Sequence, residues 1–377
     1  MHKQIQSMSM ILVFAAAAIP MAATAQGNRE DSDHAVFVMT NAADQNEVIA
    51  YERAKDGTLR EAERVLTGGR GSGGNNDPLE SQGSLTLSQD RSLLFAVNAG
   101  SGEISVFRVF GSTLSLSDKV SSFGSEPNAI AQLGNLVYVL NTGGSSNVVG
   151  FRLEGDHLTQ IDHSPAFLST NTAGAASIAI SPDGEFIAVT ERLTNSIDLF
   201  KVLADGTLSP VVVNSSVGPG AFSVSFAPGG AVIVSETGPG NVANGSAVSS
   251  YAILSNGTLS PISSSVPTLG AANCWNAVTQ DGRFVYVSNA GTSTIAGFAI
   301  AANGDLSALP GTVVGANVKG ATNLDIAISA DGKFLYTLNS KNGTIGIFAI
   351  QKDGTLKTAG AAGGITANSG FNGIAAN

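Results

Sequence analysis

The sequence predicts an all-β fold: a seven-bladed β-propeller of four-stranded antiparallel blades, with the first blade closed by the C-terminal strand. Three observations predict it. A short strand phrase recurs seven times, the same order of turn and strand signals follows each recurrence, and the two chain ends hold complementary parts of one copy. The phrase ends at Asn41, Asn98, Asn141, Glu191, Glu236, Asn289 and Asn339. A period of about 50 residues falls in the range of propeller blades.

Each copy reads as strands A to D. Strand A and a hairpin open it, as in SIAISPDGEFIAV (Ser177 to Val189). Strand B is the recurring phrase, such as VYVLN or VYVSN. A Gly/Ser/Thr-rich turn follows, and then an alternating run ending in an aromatic residue, such as EISVF at Glu103 or TIGIF at Thr344. Alternation of β-branched and aromatic residues marks strand C. The turns KDGTL at Lys55, ADGTL at Ala204, SNGTL at Ser255 and KDGTL at Lys352 then supply the positive φ angles of a tight hairpin into strand D. The first copy lacks a strand A before His34 to Thr40, and the chain ends in a spare one, FNGIAAN (Phe371 to Asn377). Pairing the two closes the ring and removes an open sheet edge.

Composition bounds the rest. A basic start at His2 and Lys3, an apolar run from Met10 to Ala23 and the small residues Ala23-Thr24-Ala25 read as an export signal over residues 1–25. The domain then spans residues 26–377, and a periplasmic or secreted location is expected. Cys274 is the only cysteine, so no internal disulfide forms. The net charge of −10 speaks against a nucleic-acid partner and gives no attraction to anionic lipid. No membrane association after signal cleavage, a monomer and a small-molecule ligand are the expected partner state.

The phrases YVSN and YVLN and the P-D-G hairpins resemble the seven-bladed lactonase family, which includes propeller-type 6-phosphogluconolactonases and carboxymuconate lactonising enzymes. The stretches GGRGSGG (Gly68 to Gly74), ESQGSL (Glu80 to Leu85), VTERLTN (Val189 to Asn195) and CWNAVTQDG (Cys274 to Gly282) look like a secreted branch of it. The resemblance covers the mature chain and implies a lactonase or muconate-cyclase activity. Those enzymes use a channel-face His with Arg and Glu. Glu191 and Arg192 match that pattern, and no His does.

The longer B–C and D–A connections emerge on one face, where function is expected on loops held by a rigid scaffold. The recurring Asn suits a local role, bonding the backbone that follows and starting the B–C turn. Glu makes that turn less well, so Glu191 and Glu236, in adjacent copies, are the candidate catalytic carboxylates. Arg192 is their candidate partner. Asn98, Asn141 and Asn289 are candidate amide donors to an oxyanion. Trp275 is a candidate ligand wall. Arg70 and the backbone of GGRGSGG are a candidate anion site, against a flexible connector. A divalent cation on the carboxylates is conceivable and no motif requires one. Two functions stay open: an exported hydrolase or isomerase of a small lactone, and a non-catalytic ligand- or protein-binding propeller.

Overall fold

The computed structural model describes residues 34–239 and 242–377. The expected signal segment, residues 1–25, lies outside the described residues. Every regular element among the described residues is a strand. They form seven separate antiparallel sheets; in six of them the strands follow chain order from inside to outside, and in the first the C-terminal strand is innermost. The phrase periodicity therefore gives the blade order directly.

The first blade is built as the chain ends require. Ile374–Ala376 pairs antiparallel with Ala35–Met39, in the register Val38 to Ile374 and Val36 to Ala376. Phe371, Ile374 and Ala376 are buried and pack with Tyr336, Leu338 and Ile345 of the seventh blade. The third blade departs from the pattern. Its outer strand is broken into His157–Gln160 and Ala166–Phe167, both paired to Asn147–Glu154.

Blades are tied to one another by repeated polar contacts as well as by apolar packing. Tyr138, Tyr286 and Tyr336, in the B strands of the third, sixth and seventh blades, each donate a hydroxyl to a glycine carbonyl in the Asp-Gly hairpin of the next blade: Gly206, Gly354 and Gly57. The last of these crosses the closure. So does the buried Arg53, which bonds Asp331 at 2.9 Å and lies over the Phe334 ring.

The inner strands begin irregularly. The pairing of strands A and B shifts register around Asn128, Ala176, Phe222, Cys274 and Asp325. Such bulges re-aim side chains locally. All five lie at the channel end that carries the D–A and B–C loops, so the fold itself breaks its ladder where a site can form.

Candidate active site

The segment joining the first and second blades runs across the channel mouth. Ser81 Oγ donates to Asn128 O at 2.8 Å, and Gln82 N donates to Ala176 O. Trp275 Nε1 donates to Ser81 O at 2.9 Å. Gln82 makes a reciprocal pair with the Asn276 backbone, accepting from N and donating to O. One short strap thus touches the third, fourth and sixth blades, which only a path near the axis allows. Its approach is held by glycine. A Cβ on Gly71 would lie 2.2 Å from the Asn41 backbone, and one on Gly69 would lie 2.4 Å from the Asn98 side chain.

Charged groups converge beside the strap. Asp77 Oδ1 accepts from Asn372 Nδ2 at 2.5 Å and from Glu80 N at 3.1 Å. Asn372 is anchored in turn by Ser84 Oγ. Arg192 Nη2 bonds the Glu80 carboxylate, while Arg192 Nε is buried without a hydrogen-bond partner. Asp325 accepts from Ile374 N and Ile326 N. Asp77 and Cys274 keep partial surface exposure although both are largely surrounded by protein. Burial first, then the Glu80 charge, raises the Asp77 carboxyl to about 7. Burial raises Asp325 to about 7 as well, with Asp77 adding to it. The Cys274 thiol is pushed up, chiefly by burial, and so is held as a thiol. A carboxyl poised near neutral pH beside an unpartnered guanidinium N–H is a base next to an electrophilic donor.

The sequence-predicted residues fall in three places. Arg192 is in this cluster. Trp275 is next to it, but its indole is 1% exposed, stacked edge-on against Phe222 at 5.1 Å and committed to Ser81. It forms the floor of the mouth rather than an open wall.

Glu191, Glu236, Asn98, Asn141 and Asn289 lie between blades, each fully buried. Glu191 accepts from Ser169 N at 3.0 Å and from the Ser169 and Thr194 hydroxyls at 2.5 Å. Glu236 accepts from Gly218 N, Ser249 Oγ and Ser265 Oγ at 2.9, 2.6 and 2.7 Å. The two carboxylates share no partner. Glu236 borders a cavity of about 220 Å³ with Pro219, Asn244 and Pro267, and Glu191 does not. Asn98 bonds Ser105 and Thr67, Asn141 bonds Ser122 O and Asn147, and Asn289 bonds Thr294. The expected turn-starting role of the Asn is corrected. A Cβ on Gly69, Gly124 or Gly270 would strike Asn98, Asn141 or Asn289, so the amide is packed under the loop arriving from the preceding blade.

Arg70 is exposed and its positive charge acts on Glu103, away from the mouth. The backbone beside it is not an open anion nest. The N–H groups of residues 69 to 73 donate, in order, to Thr67, Ser101, Ala42, Asn41 and Asn41 again. The expected flexible connector is therefore a packed strap. Among the described residues no group of three or more His, Cys, Asp or Glu side chains is arranged to hold a metal ion.

Asp77, Glu80, Asp325 and Asn372 were not singled out from sequence. The signal for Asp325 and Asn372 is positional, because each lies at the start of an A strand. Asp77 and Glu80 carry no repeat signal, since they belong to a connection that no other blade shares. A larger groove of about 610 Å³ lies on the opposite face, among the hairpins around Asp183, Ala231, Arg283 and Gly304. Its arginine is closed on Asp281 at 2.6 Å. The channel mouth is the better candidate because the Asp77 and Asp325 carboxyls are raised there and Arg192 Nε has no partner.

Two overlapping segments, residues 31–165 and 145–268, match the family model described as Lactonase, 7-bladed beta-propeller. Together they cover more than half of the 377 residues. The chain belongs to this family. Solved structures agree on the lactonase-type fold. A Bacteroides uniformis protein with a provisional 6-phosphogluconolactonase assignment aligns at a TM-score of 0.69 and 18% identity, over 92% of this chain and 100% of that one. PpgL, the periplasmic gluconolactonase of Pseudomonas aeruginosa, aligns at 0.67 and 18%, over 90% and 98%. A functionally unknown protein of Desulfotomaculum acetoxidans aligns at 0.67 and 16%, over 90% and 98%. No curated protein matches this lactonase-family chain in sequence.

Proposed function

We propose that this protein hydrolyses a small lactone at the channel mouth, with Asp77 as general base and Arg192 as oxyanion donor. The observation that carries the reading is the Asp77 carboxyl, partly exposed and raised to about 7, beside an Arg192 Nε that has no partner. Water held by Asp77 attacks the lactone carbonyl carbon and gives its proton to the carboxylate. Arg192 stabilises the negative charge developing on the carbonyl oxygen. As the ring C–O bond breaks, the protonated Asp77 returns the proton to the departing alkoxide. Asn372 fixes the orientation of Asp77 throughout. Glu191 and Glu236 serve the blade interfaces, where every bond they make is to a neighbouring loop or strand. The ligand is a small molecule, and the chain acts as a monomer without nucleic-acid or membrane partners.

The test is hydrolysis of a panel of five- and six-membered lactones by wild type, Asp77→Asn, Arg192→Gln and Glu236→Gln. Loss of at least about a hundredfold in kcat/KM is expected for Asp77→Asn, typical of removing a general base. A panel on which Asp77→Asn matches wild type removes the reading. The lack of a matching His keeps one alternative, a binding propeller without chemistry; ligand-induced stabilisation with no turnover on the panel would favour it. The N-terminal pattern of Lys3, the apolar run and Ala23-Thr24-Ala25 supports export to the periplasm, where mature protein beginning at Gln26 is expected in the periplasmic fraction.

A further inference from the structure

We propose that Glu80 is a specificity-determining residue that keeps Arg192 from binding anions, so that the mouth selects neutral ligands over phosphorylated or carboxylated ones. For lactone selectivity this rests on the hydrolase reading above; for anion exclusion it does not.

Three observations carry it. First, Glu80 occupies Nη2 of Arg192, so the Nε/Nη2 edge no longer offers a pair of free donors. Arginine grips carboxylate and phosphate most strongly through two parallel N–H donors, and an edge already held by a carboxylate cannot supply them. Second, among the described residues no further positive group is seen to act beside Arg192. Among the groups that act on Asp77 and Cys274, Arg192 is the only positive one, against Glu80 and Asp77 themselves. Asp325 adds a further carboxyl at this mouth, and the chain as a whole is at −10. An arriving anion meets a like-charged field and an occupied cation. Third, Glu80 is held in the left-handed backbone region, at φ 44°. Glutamate rarely adopts that conformation, which strains the backbone. The neighbouring structure fixes it: Glu80 N is bonded to Asp77 and the strap that follows is pinned at Ser81 and Gln82. The strain is tolerated where it aims a carboxylate at Arg192. Repulsive elements of this kind reject the wrong ligand rather than improve the right one.

Two variants separate charge from backbone strain. Glu80→Gln removes the charge and keeps the side chain. Glu80→Gly removes both charge and strain. Inorganic phosphate, titrated at constant ionic strength and read by thermal shift and calorimetry, is the probe. Wild type is expected to show no saturable phosphate binding below roughly 10 mM, and both variants to bind on the order of tenfold tighter or better. Adding Arg192→Gln to either variant should abolish the gain. Phosphate binding to wild type as tight as to Glu80→Gln overturns the proposal, as does a gain that persists without Arg192. In turnover, the kcat/KM ratio for 6-phosphogluconolactone over gluconolactone should rise about tenfold in Glu80→Gln. A ratio unchanged in an active enzyme overturns the selectivity claim. If no lactone is hydrolysed at all, the hydrolase reading falls, and the phosphate titration still decides whether Glu80 guards Arg192.

Discussion

Asn and Glu at the end of strand B solve one packing problem with opposite hydrogen-bond polarity. An amide can donate, and Asn141 Nδ2 donates to Ser122 O of the preceding blade. A carboxylate only accepts, so Glu191 and Glu236 appear where hydroxyls and N–H groups supply donors: Ser169 and Thr194 in one case, Ser249 and Ser265 in the other. Glu236→Gln replaces an acceptor by a donor against three donors. It should lower stability by about 1–3 kcal/mol, read by urea unfolding, through unsatisfied buried groups. Glu191 has a further consequence. Asp198 stands seven residues on, where the second blade has Ser105, and is fully buried. Ser169 N–H bonds both Glu191 and Asp198. Burial, then the hydrogen bond and charge of Glu191, raises Asp198 to about 8. The folded state therefore holds a proton that the unfolded chain releases near pH 4. The stabilisation is fully present below about pH 4 and declines as pH rises toward 8, by at most about 1.4 kcal/mol per unit. Asp198→Asn mimics the protonated form. Its melting temperature relative to wild type should climb between pH 5 and pH 8 and level off above. A difference that is flat with pH would mean that the pair does not share a proton.

At the scale of elements, the strap from Gly68 to Gly83 decides what the mouth can be. Its glycines are needed for close approach at Gly69 and Gly71, and neither needs a positive φ. Gly71→Ala puts a methyl into the Asn41 backbone and should cost about 1–3 kcal/mol, with the strap displaced. The expected result in hydrogen exchange is faster exchange at Ser81 and Gln82 than in wild type, beyond any global loss. The GGRGSGG composition alone favours a flexible linker, because composition reports which conformations are allowed and not which backbone lies alongside. The strand and hairpin elements, by contrast, are legible apart from the broken outer strand of the third blade, since alternation and Asp-Gly turns act locally.

At the scale of the whole molecule, closure joins the two ends of the chain in one blade. Ile374–Ala376 completes the first blade, and Arg53 with Asp331 and Tyr336 with Gly57 bridge the same junction on its other side. Against the cost of its burial, the Ser329 hydroxyl, the Lys333 N–H and the Arg53 guanidinium, in that order, hold Asp331 below the usual carboxylate range. Truncation before Ser369 removes Phe371 and Ile374 from the core and opens two ladders of backbone groups. The melting temperature should fall by about 10 °C or more, or the protein should aggregate. A truncated chain that stays monomeric and equally stable would show that the ring does not depend on this strand.

The sequence by itself determined the blade count, the strand order and the joining of the chain ends. These follow from periodicity and local turn chemistry, which every repeat states again. It also pointed to Arg192 and to the face that carries the proposed site. Only the tertiary structure decided which carboxylates stand at the mouth. Glu191 and Glu236 depart from the repeat, yet their side chains turn into blade interfaces, because donors from the preceding loops await them there. Asp77, Glu80, Asp325 and Asn372 come together from a strap and the starts of two distant inner strands. Neighbours around a ring axis are set by closure, so no spacing along the chain encodes their meeting.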